Sequence, residues 1–304
     1  MRVIVHGGAG GVPDDPIPRQ SVLDEAAAIG SETDTPLDAV ERAVRVLESN
    51  PRFNAGVGGA VQSDGVVRTD AGVMTSDREI GAVCSMAGVE HAVSVARVVH
   101  SETPHISVSG DHAVDLADDF GIETDVDLLT DETRERYEAE APPQGGSREH
   151  LDWLDTRFGS GSDRAGDGSD GTGATRRAAP DHDTVGAVAS DGESFAAATS
   201  TGGRSFALAG RVGDVPHAGS GFFCTDAGGA SATGAGEDIA RVTLTERAVR
   251  RLQEGANAEV AARRAIEEFE ALTGSGAGVI VLGEDGVGSA FNTDGMQTSV
   301  AVDR

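Results

Sequence analysis

Residues 182–203 read HDTVGAVASDGESFAAATSTGG, two alternating runs of small and β-branched residues around Ser190-Asp191-Gly192-Glu193. Asp-Gly between such runs signals a hairpin. With Asp191 and Gly192 at the turn centre, Thr184 lies opposite Thr199, and Thr201 sits on the same face one diagonal step away. Immediately upstream, residues 159–183 hold six glycines, five aspartates and no aliphatic side chain larger than alanine apart from Pro180. Such a segment buries too little to offset its ordering entropy and reads as a flexible linker. Thr184 therefore opens a strand directly after a cleavable stretch. Were the Asp183–Thr184 bond broken, Thr184 would carry both a hydroxyl and a free α-amine. An α-amine titrates near about pH 8 and can take the hydroxyl proton, directly or through a water. In the intact chain the same nitrogen is an amide without a basic lone pair, so cleavage would be the activation step. The plainer alternative is that Thr184 is only the first residue of a strand, where threonine is common.

Around this hairpin, residues 2–6 read as a buried strand that HGGAGG breaks. Thr35 as N-cap and Pro36 at the first helical position start an amphipathic helix with Leu37, Val40, Val44 and Leu47 on one face. Residues 66–86 read as two strands about a turn at Thr75–Glu79, and 89–100, 113–120 and 131–139 as helices. After the hairpin come strands at 221–225 and 230–233, helices at 237–253 and 259–272, a hairpin at 278–291 and a strand at 297–302. Strands, then helices, then strands in each half imply stacked sheets with helix layers outside.

A chain of 304 residues leaves one large domain or two small ones open. Acidic residues number 51 against 24 basic ones, a formal charge of −27. Every basic residue is arginine, and the runs of arginine never exceed a pair. Nucleic-acid binding, which needs a basic patch for counterion release, is excluded, and an anionic membrane surface would repel the chain. High acidity without lysine resembles the proteins of salt-in halophiles, a solubility adaptation to a salty cytoplasm. With 42 glycines and 4% aromatic residues, the core falls to Val, Ala, Ile and Leu. Cys84 and Cys224 lie in separate apolar runs and read as buried reduced thiols. The N-terminus is too short for a signal-peptide core and no apolar run reaches a membrane span, so the expected compartment is the cytoplasm.

The histidines form no HExxH, and the two cysteines no CxxC pair, so zinc is not expected. HGGAGG imitates an esterase oxyanion loop, but no G-x-S-x-G elbow accompanies it. A phosphate cradle at His6–Gly11 or at Gly234–Gly236 would lack the lysine of a nucleotide loop.

Six motifs decide among these readings: HGGAG at 6–10, NPRFNAGVGG at 50–59, HDTVGAVASDG at 182–192, ATSTGG at 198–203, GRVGD at 210–214 and ATGAGE at 232–237. In this order, and spanning the chain outside 101–181, they resemble the plant-type L-asparaginase and isoaspartyl peptidase family of N-terminal nucleophile hydrolases. The resemblance implies an α+β fold, a four-layer αββα sandwich. It implies a single domain, 1–304, processed into an α subunit (1–183, with 159–183 as linker) and a β subunit (184–304), paired as a dimer of αβ units. The implied activity is hydrolysis of the side-chain amide of L-asparagine or of β-aspartyl dipeptides, without an organic cofactor.

Residue by residue, the resemblance makes Thr184 the nucleophile, freed by autocleavage between Asp183 and Thr184, and Thr201 its hydroxyl partner. Arg211 and Asp214 match the pair gripping the substrate α-carboxylate and α-ammonium, chemistry that an Arg fork and a carboxylate suit; in isolation they could be a surface ion pair. Thr233 and Gly234 match an oxyanion hole, although Thr233 could instead cap the helix starting near Glu237. Gly236 matches a main-chain substrate contact. Asn54 supports a loop whose family counterpart binds sodium through main-chain carbonyls, here those of Leu47, Glu48, Asn50, Phe53, Ala55 and Val57. His182 either aids processing or is an exposed linker residue. The hairpin is one residue shorter than in common asparaginases of this type. His-Asp before the threonine is similar to glycosylasparaginases, which stand as the alternative on the same scaffold. A non-catalytic ligand-binding protein using its glycine loops is the alternative from another class.

Overall fold

The hairpin runs as β5 (Val185–Ser190) and β6 (Phe195–Thr201) through the middle of a seven-stranded sheet in a computed structural model, which describes residues 1–13, 15–158 and 184–303. Both strands are buried along their whole length. Their register pairs Gly186 with Thr199 and Ser190 with Phe195, which corrects the expected pairing of Thr184 with Thr199. The turn is the reason. Asp191 Oδ1 accepts the N–H groups of Glu193 at 2.9 Å and Ser194 at 2.7 Å, making an Asx-braced loop over 191–194 in place of a two-residue turn. A shift of two preserves the face and moves Thr201, instead of Thr199, opposite Thr184.

Strands from the other half of the chain flank this hairpin. β1 (Arg2–Gly10) pairs with β5, and β2 (Arg68–Thr75) pairs with β6. β11 (Gly295–Val302) closes one edge beside β1, while β3 (Ile80–Ala87) and the parallel β4 (Ser107–Ser109) extend the other. Strands from before 159 and from after 183 thus interleave within one sheet. A second, antiparallel sheet runs in the order β10 (Gly286–Phe291), β9 (Ala277–Gly283), β8 (Gly228–Gly234) and β7 (Phe222–Thr225).

Side-chain parity sorts the core. Val185, Ala187, Ala189, Ala196 and Ala198 pack under α1 (Pro16–Ser31), α2 (Pro36–Glu48), α3 (Ala92–Glu102) and α4 (Asp111–Asp119). Val188, Ala197, Ile4 and Met74 point the opposite way and meet Phe222, Ile280 and Leu282 of the second sheet. On the far face of that sheet, Ala230, Ala232, Val279 and Val281 pack under α8 (Leu244–Gln253) and α9 (Ala258–Thr273). Thr184, Thr199 and Thr201 share parity with Val188 and Ala197, so their side chains lie between the two sheets. At Gly186 a Cβ would stand 1.9 Å from Ser231 Oγ and 2.5 Å from His6 Nε2; glycine there lets the sheets close up.

Several local expectations change. HGGAG does not end the first strand: β1 continues to Gly10 through a register shift between His6 and Ala9, a bulge with Gly8 at φ +108°. The helix expected over 237–253 is two, α7 (Gly236–Val242) and α8, parted at Thr243 with φ +54°. Helix α1 was not expected, because its buried stripe, Arg19, Leu23, Ala26, Ala27 and Gly30, is mostly too small to show hydrophobic periodicity. Helices α5 (Asp131–Glu140) and α6 (Ser147–Phe158) follow α4; the second was not expected either. Cys224 is buried, but Cys84 is only half-buried; both are free thiols. Among the described residues, no helix is long and apolar enough to cross a membrane. The linker reading of 159–183, with His182 and Asp183, lies outside the described residues.

A charge of −27 repels itself, while exposed pairs such as Arg241–Asp238 and Arg263–Glu267 contribute little each. Raising KCl from about 0.1 M to 1 M shortens the screening length from roughly 10 Å to 3 Å. Tm is therefore expected to rise over that range in a calorimetric melt. A flat or falling Tm would remove self-repulsion as a stability term.

Candidate active site

Thr184 stands just before β5, nearly buried, and its Oγ1 donates to Thr201 Oγ1 at 3.1 Å. Thr201 Oγ1 accepts the Gly203 N–H at 3.1 Å and reaches Asn54 O at 3.4 Å. Asn54 ties that corner down. Its Nδ2 donates to Gly203 O at 2.7 Å, its Oδ1 accepts the Ala60 N–H at 2.7 Å, and its carbonyl accepts the Gly202 N–H at 2.8 Å. The partner hydroxyl is thus held from three sides, fixing where the Thr184 hydroxyl can point.

Across the sheet, Asp70 on β2 is the register partner of Thr201. Burial pushes its carboxyl up to about 7, against the Ser85 N–H, which Asp70 Oδ1 accepts at 2.7 Å, and the Arg211 charge; the Asp214 charge adds to the rise. Arg211 lies on the loop after β6, where its Nε donates to Glu237 Oε1 at 2.9 Å and its Nη2 lies 2.8 Å from the same oxygen. It is not paired to Asp214, which corrects the simple ion-pair alternative. Burial pushes Asp214 up to about 6, opposed by Arg211 and raised further by Glu237, and its Oδ2 is buried without a hydrogen-bond partner. Although burial works against its charge too, Arg211 keeps Glu237 below its ordinary range. A Cβ at Gly236 would stand 2.5 Å from Asp214 Oδ1 and 3.1 Å from Arg211 Nη2. A guanidinium and an unpaired carboxylate side by side against a bare Cα can receive the two charges of an amino acid's α-carbon.

Thr233 is fully buried on the inter-sheet face of β8. It does not cap a helix: the N-cap of α7 is Ala235, without a side-chain cap bond. Gly234 ends the strand at φ +135°, where a Cβ would lie 2.6 Å from Gly276 O. Gly236, just past β8, lies against Asp214, whose charge together with that of Arg211 reaches Asp70 on β2, the register partner of Thr201. Behind the threonines, His6 is wholly buried, its Nε2 2.9 Å from Ser231 Oγ, which lies 2.6 Å from Thr199 Oγ1. Burial drives the imidazole down to about 3 and the neighbouring Thr184 main chain opposes this only in part, so the ring is neutral.

The sequence pattern of the family described as "Asparaginase" matches residues 1–304. The chain belongs to this asparaginase family. It is 36% identical over 307 residues to a plant-type L-asparaginase of Pyrococcus abyssi, covering 97% of this chain and 94% of that protein. It is 32% identical over 297 residues to an isoaspartyl peptidase/L-asparaginase of Mus musculus (93% and 82% covered). It is 33% identical over 311 residues to an isoaspartyl peptidase of Salmonella typhimurium (97% and 93% covered).

Among family members, the implied sodium loop can be tested against the geometry of residues 47–57. The carbonyls of Glu48 and Asn50 accept the N–H groups of Val57 at 2.9 Å and Phe53 at 3.1 Å and each keeps a second lone pair, whereas Leu47 O already meets two N–H groups, those of Ser49 and Asn50. Among the described residues, no donor meets the carbonyls of Phe53, Ala55 or Val57. Neutral oxygens of this kind are the donors a hard cation takes. The asparaginase reading from sequence passed over Asp70, Glu237 and the buried contacts of His6. Asp70 sits in an ordinary strand pattern, RTDAGVM, and only its cross-strand position beside Thr201 marks it. Glu237 was within a quoted motif, but its hold on Arg211 depends on a fold-back of 26 residues.

Proposed function

We propose that this chain is an autoprocessed amidohydrolase that cleaves the side-chain amide of L-asparagine and of β-aspartyl dipeptides, with Thr184 as nucleophile. The observation that carries the reading is the 3.1 Å hydrogen bond between the Thr184 and Thr201 hydroxyls, at the first residue after the implied scissile bond. The fold is then the αββα sandwich of N-terminal nucleophile hydrolases, and strands on both sides of the cut remain joined in one sheet. In processing, Thr184 Oγ1 attacks the Asp183 carbonyl, the C–N bond breaks as the hydroxyl proton passes to the leaving nitrogen, which frees the α-amine and leaves an ester, and water then hydrolyses the ester to restore the Thr184 hydroxyl and release the Asp183 carboxylate. In turnover, that amine takes the Thr184 hydroxyl proton as Oγ1 adds to the β-carbonyl of the substrate. Thr233 Oγ1–H and the Gly234 N–H receive the oxyanion. The ammonium formed on Thr184 protonates the leaving amine, and water then releases aspartate from the acyl-enzyme. Arg211 holds the α-carboxylate, Asp214 the α-ammonium, and the bare Gly236 leaves room for both. The 47–57 carbonyls would hold sodium, which supplies loop rigidity behind Asn54 and takes no part in the chemistry.

The test is intact mass under denaturing conditions after prolonged incubation in molar salt, beside ammonia release from asparagine and release of aspartate from β-aspartyl dipeptides and glycosylated asparagine. Two fragments, the second starting at Thr184, with turnover of the first two substrates are expected. A preference for glycosylated asparagine moves the enzyme to the alternative branch. An uncut, inactive wild type overturns the reading in favour of a binding protein. Light scattering of the processed protein is expected to give the mass of two αβ units.

The substrate ammonium needs Asp214 ionised. Since burial holds that carboxyl near about 6, kcat/KM is expected to fall, by up to about tenfold per unit, as pH drops below that value. The sign for stability is opposite. A carboxyl raised in the fold binds its proton more tightly there than in the unfolded chain, so Asp214 and Asp70 cost stability as pH rises from the ordinary carboxylate range through about 6 and 7. Asp214→Asn is expected to remove the break near pH 6 and to raise KM above that pH, while the limb of the Thr184 α-amine stays; a break near 6 that persists in this variant belongs to another group.

A further inference from the structure

We propose that Gln62 is a positioning residue that sets the geometry of Arg211, and through it the affinity for the substrate α-carboxylate; the inference rests on the function proposed above. The loop between β6 and β7 that carries Arg211 has no regular structure, and its glycines leave its path undetermined by its own sequence. Gly210, next to Arg211, takes φ +81° with open space around it. The path is imposed from outside by residues 61–63. Val61 O accepts the Phe206 N–H at 2.7 Å and the Ser63 N–H reaches Ala207 O at 2.9 Å. Between them the Gln62 side chain, 1% exposed, takes hold of the next turn. Its Oε1 accepts the Gly210 N–H at 2.8 Å, and its Nε2 donates to Arg211 O at 3.3 Å.

The amide is oriented in turn. Arg68 Nη1 donates to Gln62 Oε1 at 2.8 Å while both of its terminal nitrogens grip Asp64, at 3.0 and 2.8 Å. With Arg68 on its oxygen, the amide must turn its NH2 toward the Arg211 carbonyl. A carboxylate of the same length would accept from Gly210 and Arg68 but could not donate to Arg211 O; a leucine could do neither. Beside this anchor Phe206 is pinned in a strained conformation, φ +60°, its ring clustered with Val61 and Val67. Its ring is stacked on Tyr137 at 6.5 Å and met edge-on by Trp153 at 5.8 Å. Those partners stand on α5 and α6, so the end of the α chain holds the substrate loop of the β chain after the peptide bond between them is cut. Gln62 touches neither Thr184 nor Thr233, and its loss should therefore weaken binding and spare the chemical step.

The experiment compares wild type, Gln62→Leu and Gln62→Glu after complete self-cleavage, measuring kcat and KM for L-asparagine and inhibition by L-aspartate. KM and the aspartate inhibition constant are expected to rise about tenfold together, the loss that follows when one hydrogen bond to a charged group is misaligned. kcat is expected to stay within about threefold, and in an Arg211→Lys background Gln62→Leu is expected to add little. Unchanged KM, a fall confined to kcat, or full additivity with Arg211→Lys overturns the proposal. Should Gln62→Leu fail to fold, Gln62→Glu keeps the contacts to Gly210 and Arg68 and loses only the donor to Arg211 O, and an unaltered KM there is equally decisive. Wild type that cleaves and hydrolyses beside unaffected variants sinks this inference alone; wild type without hydrolysis sinks the function first and this with it.

Discussion

Thr184→Ala is expected to leave a full-length chain that releases no ammonia from L-asparagine, whereas Thr184→Ser cleaves itself and turns over more slowly. One hydroxyl serves both reactions. Without it nothing attacks the Asp183 carbonyl, the bond stays closed, and the nitrogen remains an amide that cannot act as a base. Loss of a nucleophile from a catalytic unit costs roughly 10⁴-fold or more, beyond the range of an ordinary ammonia assay. The fold is expected to survive. Thr184 makes one neutral hydrogen bond to Thr201, whose removal costs about 1 kcal/mol. Serine keeps the hydroxyl but loses the methyl group that restricts χ1, so it reaches the attacking geometry less often. Denaturing mass spectrometry, ammonia release and a thermal melt on the same samples separate the outcomes. An alanine variant that is cut, or that turns over, assigns the nucleophile elsewhere.

Arg211→Leu is expected to cleave itself normally and to lose roughly 10²- to 10³-fold in kcat/KM, chiefly through KM. The guanidinium offers two parallel donors to a carboxylate, and hydrogen bonds to charged groups contribute about 1.5–3 kcal/mol each. Its charge also opposes the burial that raises Asp70 and Asp214. Without it both carboxyls hold their protons to higher pH, and Asp214 is less often ionised to meet the substrate ammonium. The acid limb of the pH profile should therefore move upward as well. Arg211→Lys keeps the charge but not the fork, and should restore the pH profile more than the affinity. Steady-state kinetics across pH for the three proteins decides this. An Arg211→Leu enzyme with wild-type KM would take the residue out of substrate binding.

The hairpin was legible because Val, Ala and Thr alternate around Asp-Gly, a signal carried within a dozen neighbouring residues. Its register was not, since Asp191 accepts two N–H groups and lengthens the turn, a choice made by side-chain geometry and invisible to spacing. Helix α2 could be read from its N-cap and apolar stripe; α1, whose stripe is mostly alanine and glycine, could not. At the candidate site, Thr184, Thr201, Arg211 and Asp214 were found through ordered motifs. Asp70 was missed because one aspartate in a strand says nothing until the strand beside it is known.

By itself, then, the sequence determined the family, the candidate nucleophile and the acidic, lysine-free surface, because each is written in local pattern or composition. Only the tertiary structure decided that Thr201 rather than Thr199 stands directly opposite Thr184, that Glu237 rather than Asp214 holds Arg211, and that Gln62 steers the loop between them. Those contacts join residues 17, 26 and 149 positions apart. Their geometry follows from how two sheets and their loops pack, and the burial that raises Asp70 and Asp214 exists only once that packing has expelled water.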